Sequence, residues 1–233
     1  MVDDGCIHVV AAAVTGADGR VLIAQRPPGK HLAGSWEFPG GKLEAGESRA
    51  HGLARELEEE LGIAIRQPRP LMRVRHVYPH GEVLIDMWVV SRFSGEPRGL
   101  DGQAIRWCTP QEVAAADLLP ADRSIVRSLR LPERLREANS EAYEVTDLPA
   151  APTMADRDEA ARVMRLRGIL CRDVEGAGFA AGRGADFIVL GREFSEEQLE
   201  RLCASVSIPV FARGTSLEKA WSAGATGLND IGS

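Results

Sequence analysis

Long apolar runs are missing from this 233-residue sequence. No stretch approaches the roughly 20 residues that a membrane-spanning helix needs, so no membrane partner is expected. Basic blocks are missing too. No Lys/Arg-rich segment occurs and the net charge is −6, which argues against a nucleic-acid polymer as partner, because phosphate backbones are held by clustered cations. Cysteines are few and scattered: Cys6, Cys108, Cys171 and Cys203 contain no C-x-x-C pair. Neither a zinc site nor a disulfide framework follows, and reduced thiols in a cytoplasm are the expectation. The opening MVDDGCIHVVAAAV has acids where a secretory signal needs basic residues, and its apolar run suits a strand. What is present, 44% hydrophobic and 27% charged residues, is material for a soluble globular protein with a core. The length is comfortable for two domains.

Residues 7–14 and 21–26 read as strands around the turn Gly16–Gly19, a hairpin-like opening. A Pro/Gly-rich loop runs from Arg26 to Glu47. Ser48 to Leu61 is an expected helix: Ala50, Leu53, Ala54, Leu57 and Leu61 recur at helical spacing, and Gly62 stands where a C-terminal cap belongs. Strands are expected over Leu71–Tyr78, Val83–Phe93 and Ile105–Cys108, and a last helix over Ala121–Leu131 before Pro132. From there the text turns charged and poor in apolar residues. This predicts a first domain over 1–132, a linker over 133–142 and a second domain over 143–233. In the latter, short apolar runs such as DFIVLG (186–191) and IPVFARG (208–214) alternate with helical stretches at 195–206 and 216–223. That is βαβ rhythm, and it implies a parallel sheet. The fold class is α/β throughout.

Glu56, Glu59 and Glu60 stand at i, i+3 and i+4, so their carboxylates share a helix face beside the stripe of Leu53, Leu57 and Leu61. Like charges held together at a buried edge repel, unless divalent cations neutralise them. Hard oxygen ligands of this kind suit Mg²⁺ or Mn²⁺. The bland alternative is a solvated charged face.

The surroundings decide between the two. From Gly40 the sequence reads GGKLEAGESRAHGLARELEEELGI, which matches the Nudix box at nine specified positions over 23 residues. The segment therefore resembles the Nudix hydrolases, and the resemblance implies an α/β/α sandwich with a loop–helix–loop metal site. Glu56, Glu59 and Glu60 would be metal ligands, joined by the backbone carbonyl of Gly40. Glu47 would support them, directly or through water, and Arg55 would hold the glutamates in place. The general base would be a box glutamate or Asp101, which lies in the loop GEPRGLDGQ where relatives carry a carboxylate; an ordinary turn aspartate is the alternative for Asp101.

Beyond the box, the text at 24–26 (AQR), His31, 36–41 (WEFPGG), 93–103 and 118–126 (LLPADRSIV) resembles the MutT-type branch. This implies Mg²⁺-dependent hydrolysis of nucleoside triphosphates such as 8-oxo-dGTP to the monophosphate and pyrophosphate. Arg26 would contact phosphate, Phe38 would line the base pocket, Asp122 would face the purine edge, and His31 would stand with them on the substrate side. Asp122 departs from relatives that use Asn: an ionised Asp only accepts hydrogen bonds, so it must meet donors or be protonated itself. A helix N-cap is the alternative for Asp122, and a core aromatic for Phe38. Tyr78-Pro79 lies where hydrolases of ADP-ribose and dinucleotide polyphosphates carry markers, which keeps those substrates open beside a nucleotide-sensing module.

Residues 143–233 resemble parts of thiamine-phosphate-synthase-like βα barrels in YEVTDL, GADFIVLG, IPVFARG and AWSAGATGLNDIG. A complete barrel needs about 200 residues or more. Only four or five strands can be counted, and Arg213-Gly214 stands where relatives place a double glycine, so synthase activity is not expected. Gly176, Gly178 and Gly182 have the wrong spacing for a dinucleotide fingerprint. A partial barrel leaves strand edges and an apolar face to be covered, and docking on the first domain or on a second copy of the chain, forming a homodimer, is the expected way to cover them.

Overall fold

Val10, Ala12, Ala13 and Val14 are fully buried. A strand buried on both faces belongs at the centre of a sheet, and that is where it is found. The computed structural model describes residues 6–79, 81–136, 143–147, 166–182 and 185–231. Strand β1 (Ile7–Val14) pairs antiparallel with β4 (Gly40–Lys42) and parallel with β7 (Gly81–Val90), and β7 neighbours β6 (Arg69–Tyr78). The expected opening hairpin does not form. Both edges of β1 are taken, so β2 (Val21–Gln25) leaves after a single bridge between Thr15 and Val21 and joins a second, antiparallel sheet with β3 (Trp36–Glu37) and β9 (Ile105–Cys108). Strands β5 (Ala64–Ile65) and β8 (Phe93–Ser94) pair separately.

Helix α1 (Arg49–Leu61) has both of its sequence signals in use. The Ser48 side chain accepts from the His51 N–H, and Gly62 ends the helix in the left-handed conformation at φ 68°. Leu53, Leu57 and Leu61 pack with Val10, Ala12, Val14, Leu22 and Trp88 into one core. Arg49 Nη1, in the first turn, donates to Asp86 Oδ1 of β7 at 3.1 Å, which ties the start of the helix to the sheet. Helix α2 (Pro110–Ala115) carries a capping box between Thr109 and Glu112. The helix expected over Ala121–Leu131 is shorter: a 3₁₀ turn at Asp122–Ser124 runs into α3 (Ile125–Ser128). Its apolar end goes elsewhere, because Leu131 belongs to the core of the second unit.

The residues fall into two units, one of 1–70 with 74–129 and the other of 71–73 with 130–233. In the second, six parallel strands run in the order β10-β15-β14-β13-β12-β11: β10 (Arg134–Leu135), β11 (Tyr143–Asp147), β12 (Leu166–Cys171), β13 (Phe187–Glu193), β14 (Val210–Arg213) and β15 (Gly227–Asn229). The strand earliest in the chain thus pairs with the last, as in a barrel wall. Strand β10 was not expected: it falls in the charged stretch read as linker, and two residues are too few to show a strand period. Residues 137–142 of that linker lie outside the described residues. Helices α4 (Val174–Gly182), α5 (Glu196–Ser205) and α6 (Leu217–Ser222) connect successive strands, and Gly176, Gly178 and Gly182 lie inside α4. Ile188 and Leu190 bury among the helices, while Phe187, Val189 and Phe211 bury on the other face. Apolar residues on both faces explain the unbroken runs. Among the described residues, no helix is long and apolar enough to cross a membrane.

Candidate active site

Two glycines let α1 and β4 come together. A Cβ on Gly40, at φ 149°, would stand 2.1 Å from the Val10 carbonyl oxygen. One on Gly41 would stand 2.2 Å from Glu56 Oε2. Side chains at these positions would push β4 off β1 and the Glu56 carboxylate off the turn. The Gly40 N–H donates to Glu60 Oε2 at 3.1 Å.

Arg55 organises the remaining carboxylates. Its Nε and Nη2 grip Glu47 at 3.1 and 3.0 Å, and its Nη1 donates to Glu56 at 2.9 Å and to Glu59 at 3.1 Å. Nη2 also donates to the Lys42 carbonyl at 3.1 Å. These charge-assisted bonds hold the Glu47 carboxyl below the usual carboxylate range and push the guanidinium up. Glu60 lies outside the reach of Arg55, and burial pushes its carboxyl up to about 7, with the charges of Glu37 and Glu56 adding to the effect and the Gly40 N–H opposing it. One arginine therefore serves a cluster that still has negative charge to spare. With these side chains drawn onto Arg55 and Gly40, no ready-made cage of three ligating side chains occurs among the described residues.

A cavity of about 560 Å³ opens beside this cluster. Glu56, Glu59, Glu60, Gly40, Asp101, Arg26, His31, Phe38 and Asp122 all line it, whereas Glu47 and Arg55 stand behind the lining. Ile7, Val9 and Ala11, one face of β1, form its floor with Val83 and Ile85. Ala11 pairs with Gly40 and Ile7 with Val83. The floor therefore stretches roughly 13 Å from the glycine turn, at about 3.3 Å per strand residue.

Asp122 is 4% exposed, and its Oδ2 accepts from the Phe38 N–H at 3.2 Å. It does not cap a helix: the cap position is Ala121, with no side-chain cap bond. Burial pushes the Asp122 carboxyl up to about 7, against the pull of the Phe38 N–H. Phe38 is 3% exposed and lines the cavity, so it is at once a core residue and part of the cavity wall. Arg26 is ion-paired with Glu37, and its Nε donates to the His31 carbonyl at 2.7 Å. Glu37, raised by burial and lowered by Arg26, also lines the cavity, as do Lys30, Leu32 and Tyr78. Of these four, only Tyr78 was raised in the sequence, as a marker of other substrates. Glu37 could have been, because an acid between Trp36 and Phe38 in a buried loop asks for a partner; nothing local marks Lys30 or Leu32.

The NUDIX domain family matches residues 10–128, a stretch that holds the whole cavity lining except Ile7 and Val9. The chain belongs to this family. It is 35% identical over 130 residues to the CTP pyrophosphohydrolase of Escherichia coli K12, covering 56% of this chain and 96% of that one. It is 34% identical over 127 residues to the 8-oxo-dGTP diphosphatase of Haemophilus influenzae, covering 54% and 93%. A solved MutT NUDIX hydrolase from Burkholderia pseudomallei is 29% identical and covers 53% of this chain and 95% of its own, with a TM-score of 0.46. With relatives named as diphosphatases and pyrophosphohydrolases, this NUDIX chain is a MutT-type pyrophosphohydrolase. The identity is nearly equal to a relative named for a pyrimidine nucleotide and to one named for an oxidised purine nucleotide.

Proposed function

We propose that the first unit hydrolyses 8-oxo-dGTP or a related (deoxy)nucleoside triphosphate to the monophosphate and pyrophosphate, with Mg²⁺ or Mn²⁺ as cofactor. The observation that carries this reading is the juxtaposition in one cavity of a carboxylate cluster and a buried Asp122. Glutamate oxygens and the Gly40 carbonyl are hard donors with charge left over after Arg55, which fits a divalent ion. Glu56, Glu59 and Glu60 would hold it, Glu47 would support them, and Arg55 would set their orientation. When bound, the ion neutralises polyphosphate charge and makes water a better nucleophile at neutral pH.

The chain's own groups do the rest. Arg26, held by Glu37 and the His31 carbonyl, is poised to meet phosphate. Asp101 is the loop carboxylate available to accept a proton from the attacking water. Asp122, with one oxygen committed to the Phe38 N–H, is partly protonated near neutral pH and offers the base a donor and an acceptor together. The Phe38 ring and the floor of β1 supply an apolar surface for the base.

The test is divalent-metal-dependent release of pyrophosphate across 8-oxo-dGTP, dGTP, CTP, the other common triphosphates, ADP-ribose and diadenosine polyphosphates. A marked preference for 8-oxo-dGTP over dGTP supports nucleotide-pool sanitation. Preference for ADP-ribose or a dinucleotide overturns the pocket assignments, and no turnover on any of them brings forward a sensing module.

A further inference from the structure

Three positions in the loop between β2 and β3 have positive φ: Gly29 at 91°, Gly34 at 90° and Leu32 at 58°. Glycine adopts this conformation freely, but a leucine is strained in it. Leu32 gains little from burial in return, being 38% exposed, and it lines the cavity. The strain is held from several sides. The Arg26 N–H donates to the Ser35 carbonyl at 2.9 Å, the Gly34 N–H to the Arg26 carbonyl at 3.0 Å and the Ser35 N–H to the Leu32 carbonyl at 3.2 Å. Gln25 Nε2 donates to the Gly34 carbonyl at 2.8 Å, and Arg26 Nε to that of His31. A backbone so over-determined, presenting an apolar side chain at a cavity, is a common property of ligand-gripping loops.

The same loop touches the far end of β6. The His31 ring meets Tyr78 edge-on, with centroids 6.2 Å apart and planes at 87°. His76, two residues earlier on the strand, meets Tyr78 again at 4.4 Å and 63°. Two aromatic neighbours thus fix the ring of Tyr78 where it lines the cavity. Tyr78 lies three residues before Gly81, where β7 begins, and Val83 on that strand marks the end of the floor away from the glycine turn.

We propose that Leu32 and Tyr78 are specificity-determining contacts for the nucleobase, and that this loop, rather than the carboxylate helix, sets which base is accepted. This rests on the nucleotide reading above. A flexible apolar side chain and a fixed aromatic ring suit the face of a planar heteroaromatic base, while the polar edge of that base is left to Asp122.

The experiment measures kcat and KM of the full chain for 8-oxo-dGTP, dGTP and CTP with wild type, Leu32→Gly, Tyr78→Ala and Tyr78→Phe. Leu32→Gly removes the side chain where the backbone suits glycine, so it is expected to melt within a few degrees of wild type. For Leu32→Gly and Tyr78→Ala, KM should rise about tenfold with kcat within about threefold, and unequally among the bases, while Tyr78→Phe, which keeps the ring, should keep the wild-type order of preference among the bases. Unchanged base preference in both Leu32→Gly and Tyr78→Ala, or a uniform fall in kcat alone, overturns the inference while leaving nucleotide hydrolysis standing. No turnover of any triphosphate by wild type removes the nucleotide reading and this inference with it.

Discussion

The two units of the chain gather charge of opposite sign, and they stabilise it by different means. In the first, the cavity lining carries six carboxylates, Glu37, Glu56, Glu59, Glu60, Asp101 and Asp122, against Arg26, Lys30 and Lys42. In the second, a cavity of about 710 Å³ at the C-terminal ends of β13, β14 and β15 is lined by Arg134, Arg192, Arg213 and Lys219 against Glu193 and Asp230. Three of those four cations are tied off: Arg134 to Asp230 at 3.0 Å, Arg213 to the Ile231 carbonyl at 3.4 Å, and Arg192 to the Arg172 carbonyl at 2.5 Å. In the first unit Arg26 pairs with Glu37, and Arg55 alone serves Glu47, Glu56 and Glu59, while two buried acids, Glu60 and Asp122, are pushed up to about 7. A group of like charges that its own surroundings leave under-compensated is waiting for a counter-charge; a group already satisfied by carbonyls and carboxylates is not.

The largest expected effect strikes the under-compensated cluster. Glu56→Gln or Glu59→Gln should lower kcat by several orders of magnitude, because charge stabilisation at phosphorus supplies most of the rate. Steady-state assays leaving either variant within tenfold of wild type would remove these residues from the site. Chelating divalent metal should abolish turnover in the same assay, with full recovery on adding Mg²⁺, while adding Mg²⁺ should not alter the second unit's own unfolding step in calorimetry.

Next in size is Arg55→Ala. It frees three glutamates at once, and apparent metal affinity should weaken about 10- to 100-fold, as is usual for partners that orient metal ligands. A metal titration curve superimposable on that of wild type would show that Arg55 does not organise the cluster.

Asp122→Asn tests the buried acid through pH. The folded carboxyl holds its proton up to about 7, against an ordinary 3.8. Ionisation therefore costs stability progressively as pH rises from about 4 to 7, in full above that range and not at all below it. Asn has no such cost, so the variant should gain stability relative to wild type above pH 7, on the order of a few kcal/mol, and little at pH 4. Denaturant melts showing a pH-independent difference would contradict the burial argument. At the bottom of the scale, Arg213→Ala in the second unit should leave kcat/KM for nucleotides within about twofold. A larger loss would break the separation between the two units.

Much of the first unit was legible because its signals are local. Ser48 and Gly62 mark the ends of α1, the leucine stripe sets its buried face, and the glutamate spacing puts three carboxylates on one side; each follows from 3.6-residue periodicity and capping chemistry alone. The strands of the second unit were legible for the same reason, as apolar runs bounded by turns. Strand β10 was not, since its two residues become a strand only by pairing with Gly227–Asn229. The β1–β2 hairpin was misread because β4 and β7, distant in the chain, compete for the same edges. The alternatives for Asp122 were chemically equal in the sequence, and only the Phe38 N–H, 84 residues away, decided that the carboxylate faces inward.

The sequence by itself determined the helix that carries the glutamates, the glycines that let it approach the sheet and the kind of metal those oxygens suit, because helix geometry and ligand chemistry act over a few residues. Only the tertiary structure decided which carboxylates Arg55 reaches, which acids are buried deeply enough to hold a proton near neutral pH, and that Leu32 and Tyr78 line the same cavity as the glutamates. Desolvation and cavity shape are properties of neighbours brought together by folding, and no spacing along the chain records them.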